Sequence, residues 1–272
     1  RYKNFLKTFL KTLNSMYPFN FFIGFNFNYR AERELHNVCH ELKIPFLLMY
    51  KENVRTELQR KYQVHMLKKT NEKINVYKIA VYSDIAKKFL VDVGIIDKKK
   101  IKVVGCPRLG LSFKYKKVIP KNQIIYYAIE KYRGLPQNYI KSFGEKYFKD
   151  LKCHKLYKEN YNWHKLHLKT LKILRYFAIK NPNIQILIKA KTGHYNSSDY
   201  KNLPTNITIL KMGVGHSFLK ESKVVIAWNT TSILEGIAAN RFILLPYFHK
   251  KNPKLKKEDE LVFKLDKKNY AF

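Results

Sequence analysis

Short apolar runs alternate with segments of helical period along almost the whole chain. The runs at 21–25, 45–49, 79–82, 101–104, 124–128, 184–189, 207–210, 224–228 and 242–246 are brief, largely apolar and rich in Ile, Val, Leu and Phe. That pattern predicts strands buried on both faces rather than the half-wet strands of an antiparallel sheet. Between them, apolar residues recur at three- and four-residue spacing over 30–42, 84–93, 161–180, 217–220 and 232–239, which predicts helices. Alternation of this kind predicts an α/β fold with parallel sheets. The opening segment sets Phe5, Leu6, Phe9, Leu10 and Leu13 among lysines, the spacing of a helix that lies on a membrane. A helix covering a sheet has the same spacing and is the simpler reading.

The alternation breaks once. Residues 111–123 follow Gly105-Cys106-Pro107-Arg108 and show neither the helical nor the strand period. The chain therefore reads as an N-terminal α/β domain over 1–112, a linker over 113–121 and a C-terminal α/β domain over 122–272. No internal repeat at a fixed period is visible. In an open parallel sheet, ligands bind beyond the carboxyl ends of the strands. The loops that follow the strands are thus where chemistry is to be sought.

Composition adds limits. The 272 residues are 46% apolar, enough for the cores of one large or two medium domains. The chain begins at Arg1 rather than Met, and its N-terminal domain is expected to be incomplete. No uncharged apolar run approaches about 18 residues, and the first residues lack a secretory pattern. The expected location is the cytoplasm, extending to a peripheral place on the inner membrane. Cys39, Cys106 and Cys153 stand far apart with no C-x-x-C pair, which fits a reducing compartment and argues against structural zinc. The formal net charge is +34, carried by 45 Lys and 9 Arg spread along the chain. Such a field favours acidic phosphates and an anionic membrane surface. Nucleic acid is not expected, because base-reading proteins concentrate the Arg forks that are scarce here. A compositional drift toward Lys, Asn, Ile, Tyr and Phe accounts for most of the charge.

The most informative stretch is VIAWNTTSILEGIAANRFILLP, residues 225–246. An apolar strand stops at Asn229-Thr230-Thr231-Ser232, and a helix follows. Ile233 and Ile237, with Leu234 and Ala238, share its apolar stripe, whereas Glu235 lies about 200° round from Ile233 at roughly 100° per residue. A hydroxyl-rich turn at a helix start can meet a phosphate with backbone N–H groups and side-chain donors. Glu235, one turn in, can accept two hydrogen bonds from a ribose diol. Ser232-x-x-Glu235 is also the capping-box spacing, which needs no ligand. On these residues alone the cap is the better reading.

The unit of strand, Asn-Thr-Thr-Ser, Ile-Leu-Glu-Gly-Ile-Ala-Ala-Asn and strand-Pro resembles the carboxyl-terminal signature of GT-B glycosyltransferases, and more narrowly the bacterial capsule and surface-carbohydrate biosynthesis proteins. Asn240 stands where Gly is common, a mild departure because Asn also tolerates the left-handed conformation. Lys102–Arg108 is similar to the segment that ends the first domain of that family. Residues 188–194 are similar to its basic loop, and 46–52 to a first-domain strand ending in an acidic residue. The resemblance implies two Rossmann-like domains with a cleft between them, and sugar transfer from a nucleotide-sugar donor to a surface-polysaccharide acceptor, a glycan or a lipid-linked one. It places Glu235 on the ribose and Asn229, Thr230, Thr231 and Ser232 against the diphosphate. Lys189 and Lys191 would neutralise the leaving phosphate. No D-x-D run occurs, so no metal and no cofactor is expected beyond the donor itself.

Other residues are weaker candidates. Glu52 ends an apolar strand and is the best candidate for a general base, although an ion pair with Lys51 or Arg55 explains it somewhat better. His194, after Gly193, can donate a proton or bind phosphate, or simply be solvated. Chance placement among 45 lysines explains Lys189 and Lys191 as well as function does. Asp84 reads as a helix N-cap. His164-x-x-His167 lacks a third metal ligand and reads as a solvated helix face. Tyr126 and Tyr127 read as sheet core. Two other functions remain open: a nucleotide-sugar 2-epimerase of the same fold, and a non-catalytic nucleic-acid-binding protein that would explain the charge alone.

Overall fold

In the computed structural model of the chain, the described residues are 1–27, 29–51, 63–64, 67–68, 73–129, 163–190, 197–213, 215–228 and 230–246. They divide into two compact units, the first ending at Pro107 and the second beginning at Arg108. Each unit is built on one all-parallel sheet.

The first unit runs α1 (Tyr2–Met16), β1 (Phe22–Gly24), α2 (Arg30–Glu41), β2 (Phe46–Met49), β3 (Lys78–Val81), α3 (Asp84–Val93) and β4 (Ile101–Val103). Its strands lie in the order β1-β2-β3-β4. Phe46, Leu48, Ile79, Val81 and Ile101 are all but sealed from solvent, and Leu6 and Leu10 of α1 join the same core. Helix α1 packs against α2 and places those two leucines in the core, while Phe5 and Phe9 stay exposed. Ser83, not Asp84, caps α3: its hydroxyl accepts the Ala86 N–H at 3.3 Å, and Asp84 is the first helical residue. Gly94 closes the same helix in the left-handed conformation, φ 75°, that its missing Cβ permits.

The second unit runs α4 (Leu109–Lys114), β5 (Lys121–Tyr127), α5 (Trp163–Lys180), β6 (Gln185–Lys189), β7 (Ile207–Leu210), β8 (Ser222–Ile226), α6 (Ser232–Ala238) and β9 (Phe242–Leu244). Its strand order is β7-β6-β5-β8-β9. The chain starts in the middle at β5, builds outward through β6 and β7, then returns to add β8 on the other side of β5. That reversal makes a topological switch point between β5 and β8, where ligands of such sheets sit. Strand β5 is the centre: Gln123 to Tyr127 are all buried, so its two faces both carry core.

The expected linker at 113–121 is structured. It holds the end of α4, a 3₁₀ turn over Tyr115–Lys117 and the first residue of β5. Its sequence hid this because the burial is inverted: Ser112 is buried, while Leu111 and Phe113 are exposed. His167 also departs from expectation. It is buried in the core under β5 rather than solvated, and its Nδ1 lies 2.8 Å from the Tyr126 hydroxyl. Burial pushes the Tyr126 phenol up and keeps it protonated. His164 lies 3.7 Å from Asp199, and no group of three metal-binding side chains occurs among the described residues.

His36 in α2 and His167 in α5 give each unit a buried neutral imidazole. Burial pushes both down to about 4, with nearby cations adding to the effect at His36. The folded pKa is below the unfolded one, so protons bind more readily to the unfolded chain. Stability is complete above about pH 6.5 and is lost as pH falls toward 4. Between pH 7.5 and 5 we expect each histidine to remove on the order of 2 kcal/mol. Urea unfolding midpoints at the two pH values check this, and equal midpoints would contradict it.

Candidate functional site

The carboxyl ends of β5 and β8 hold a cluster of polar side chains around the buried Glu235. Helix α6 follows β8 and lies close on the sheet at its fifth residue, Gly236. A Cβ there would come within 2.6 Å of Ile243 and 3.2 Å of Val225. The same close approach buries the neighbouring Glu235, which has 0% exposure.

The far end of α6 is set by a Schellman motif. Asn240 takes the left-handed conformation, φ 55°, its N–H reaches the Ile237 carbonyl at 2.9 Å, and the Arg241 N–H reaches Gly236 at 2.9 Å. Asn240 thus does here what Gly does at most helix ends. The motif turns Arg241 inward. Its guanidinium is buried and meets four carbonyls at 3.0–3.2 Å: Tyr115, Val118, Leu219 and Lys220. One planar fork therefore ties the segment after α4 to the loop before β8 and to the end of α6.

The start of α6 is not the expected capping box. Thr231 is the N-cap, makes no side-chain cap bond, and places Ser232 first and Glu235 fourth in the helix. A capping box needs its Glu in third place. The register is one residue off, and neither Glu235 oxygen receives a hydrogen bond among the described residues. Thr230 Oγ1 lies 3.5 Å from the Ser232 N–H, at the weak limit of a hydrogen bond. Thr230 and Thr231 are half-buried and Ser232 is buried.

Two further groups face Glu235. Arg108, directly before α4, forms an ion pair through its Nε with Glu235 Oε1. The contact brings the charges together without the alignment of a hydrogen bond, which is why the carboxylate stays unsatisfied. Tyr127 ends β5 and donates its hydroxyl proton to the Gly215 carbonyl at 2.7 Å. Burial and then the Glu235 charge push its phenol up, while a hydrogen bond with Ser232 and the charge of Arg108 oppose this. The tyrosine stays protonated. The cluster is thus one carboxylate, one cation, one phenol and the Ser232 hydroxyl, all in the second unit at its switch point.

Of the sequence-predicted residues, Glu235 and Ser232 come together here, with Thr230 and Thr231 on the turn that leads into them. Lys189 ends β6, in register with Tyr127, and its ammonium donates to the Ala190 carbonyl at 2.9 Å. Glu52, Lys191, His194 and Asn229 lie outside the described residues. Three residues were missed: Arg108, Tyr127 and Arg241. The signal for the two arginines was their rarity in a chain with 45 lysines. An Arg kept where Lys is the habit marks a site that needs a planar fork.

No protein-family model matches the sequence, and no curated protein matches it. Solved structures do. The co-structure of Staphylococcus aureus MnaA with UDP superposes with a TM-score of 0.51 at 10% identity, covering 89% of this chain and 61% of that one. The "putative UDP-N-acetylglucosamine 2-epimerase" of Listeria monocytogenes gives 0.50 at 10%, again covering 89% and 61%. The chain spans about three-fifths of the length of each. At this identity the likeness shows the fold: Rossmann-like parallel α/β units of the GT-B kind.

Arg241→Lys tests the scaffold. Three of the carbonyls converge on one terminal nitrogen and the fourth, Leu219, meets Nε; a lysine ammonium has no second nitrogen for that bond, and we expect a loss of roughly 1–2 kcal/mol. Protease cleavage between residues 109 and 120 should rise with it. Thermal unfolding and limited proteolysis read both, and an unchanged Lys variant would remove Arg241 from the account.

Proposed function

We propose that this chain binds a nucleotide sugar through its second unit and transfers the sugar to a hydroxyl of a surface-glycan or lipid-linked acceptor, without a metal. One observation carries the reading. Glu235 is a fully buried carboxylate at the switch point of a Rossmann-like sheet, with neither oxygen hydrogen-bonded. A buried acceptor without donors costs about 1–3 kcal/mol, more when charged, and a ribose diol brings two donors on adjacent carbons.

The remaining groups follow the chemistry of transfer. The acceptor oxygen attacks the anomeric carbon as its proton goes to a base, and the bond from that carbon to the diphosphate breaks. Negative charge then collects on the leaving diphosphate and must be met by fixed donors. Thr230, Thr231 and Ser232 supply hydroxyls on the turn that opens α6, Lys189 supplies a cation at the end of β6, and sequence alone adds Lys191. Sequence alone assigns Asn229 to the same turn, Glu52 as the base and His194 as a proton donor. Where Lys and Arg of the basic chain lie near a lipid surface, each adds about 1 kcal/mol toward anionic membranes. No described helix is long and apolar enough to cross one.

A second reading is a nucleotide-sugar 2-epimerase, favoured by the name carried by one of the matched structures. The two readings part on product: transfer releases a nucleoside diphosphate in step with sugar consumption, whereas epimerisation at carbon 2 keeps the nucleotide attached to sugar.

UDP is the first probe, since it occupies one of the matched structures. We expect UDP, or another nucleoside diphosphate from a panel, to raise the unfolding midpoint, and added RNA to leave that shift intact. Glu235→Gln keeps the volume but removes the charge and one acceptor, and should weaken UDP about tenfold. Absence of a shift with every nucleoside diphosphate, or an unchanged affinity in the Gln variant, would end this reading.

A further inference from the structure

Glu235 has no solvent contact, so a ligand reaches it only by moving something that lies against it. Most of what surrounds it is fixed. Tyr127 is held by the Gly215 carbonyl, and Gly236 lies flush on Val225 and Ile243. Arg108 is different. Its side chain is 52% exposed, and its Nε meets the carboxylate without making a hydrogen bond.

We propose that Arg108 is an exchangeable counter-ion for Glu235 and a receptor for the diphosphate of the bound nucleotide. In the free protein its Nε neutralises the carboxylate. When the nucleotide enters, the ribose hydroxyls take the Glu235 oxygens, and the guanidinium turns onto the phosphate oxygens. This rests on the nucleotide reading above and adds to it the residue that selects a diphosphate over a bare nucleoside.

Three features make the exchange favourable. The Arg108–Glu235 contact lacks hydrogen-bond alignment, so little directional bonding is lost when it opens. Both partners gain: the carboxylate receives aligned O–H donors, and the guanidinium offers paired N–H donors to phosphate, which it matches in shape. The backbone need not move. Arg108 leads into α4, whose following segment is pinned by Arg241 through the Tyr115 and Val118 carbonyls, so only the side chain swings. The cation stays near Glu235 throughout, and the buried charge is not abandoned.

The test compares UDP with uridine by titration calorimetry on the whole chain. Wild type should bind UDP far more tightly than uridine. In Arg108→Gln, UDP should weaken roughly ten- to a hundredfold while uridine is unchanged or tighter, because the competitor for Glu235 has gone. Arg108→Lys, which keeps charge but loses the fork, should fall between. Since Arg108→Gln strands a buried carboxylate and can fail to fold, Arg108→Gln/Glu235→Gln provides a second variant without that charge. It should fold, and should bind UDP no better than uridine. An equal loss for UDP and uridine in the single variants, or UDP binding as tight as wild type in any of them, would overturn the exchange. Failure of wild type to bind any nucleoside diphosphate would instead overturn the function on which it rests.

Discussion

A charge sealed from water must be answered by its surroundings, and the second unit is organised around that requirement at Glu235. A buried carboxylate in a protein ordinarily collects two or three hydrogen bonds. This one has a single misaligned cation and no bond. A well-packed sheet beneath it and a tyrosine beside it leave no room for the carboxylate to retreat to solvent. Such an arrangement is poor for stability taken alone, since an imperfectly paired buried charge costs more than it returns. It makes sense as a polar socket whose missing donors come from outside.

The surrounding structure supplies rigidity where the socket lacks it. Gly236 lets α6 settle on β8 and β9, Asn240 ends the helix in one turn, and Arg241 converts that ending into a tie across α4 and the loop before β8. Each step follows from the one before. A side chain at 236 would lift the helix, and the lifted helix would expose Glu235 and release Arg241 from its carbonyls. The socket and its frame are therefore one packing problem.

Much of the fold was readable from the chain. Each of the nine apolar runs overlaps a strand, and the run at 207–210 matches β7 end to end. Parallel pairing followed from strands apolar on both faces, which leave no wet side for a hairpin sheet. The helix over Leu109–Lys114, which reaches into the stretch expected as a linker, was not legible, because it buries Ser112 and exposes Leu111 and Phe113. In the site, the Glu was visible and its partner was not. Glu235 stood out as the polar residue off an apolar stripe, but its capping-box reading failed because α6 begins one residue earlier than the spacing assumed. Arg108 lies 127 positions away in sequence from Glu235, and only the folded chain brings such residues together. Tyr127 looked like core and is core; its hydroxyl takes part through the one atom that periodicity ignores.

The Arg241 fork also redraws where one module stops and the next starts. Two of its four acceptors, Tyr115 and Val118, precede β5. A polypeptide beginning at residue 122 would keep the entire second sheet yet strand a buried guanidinium with half its oxygens gone, and it would discard Arg108 as well. The compact second unit is thus longer than its sheet. It begins at the arginine that follows Pro107, so that a stretch resembling a tether is packed as part of the unit it leads into.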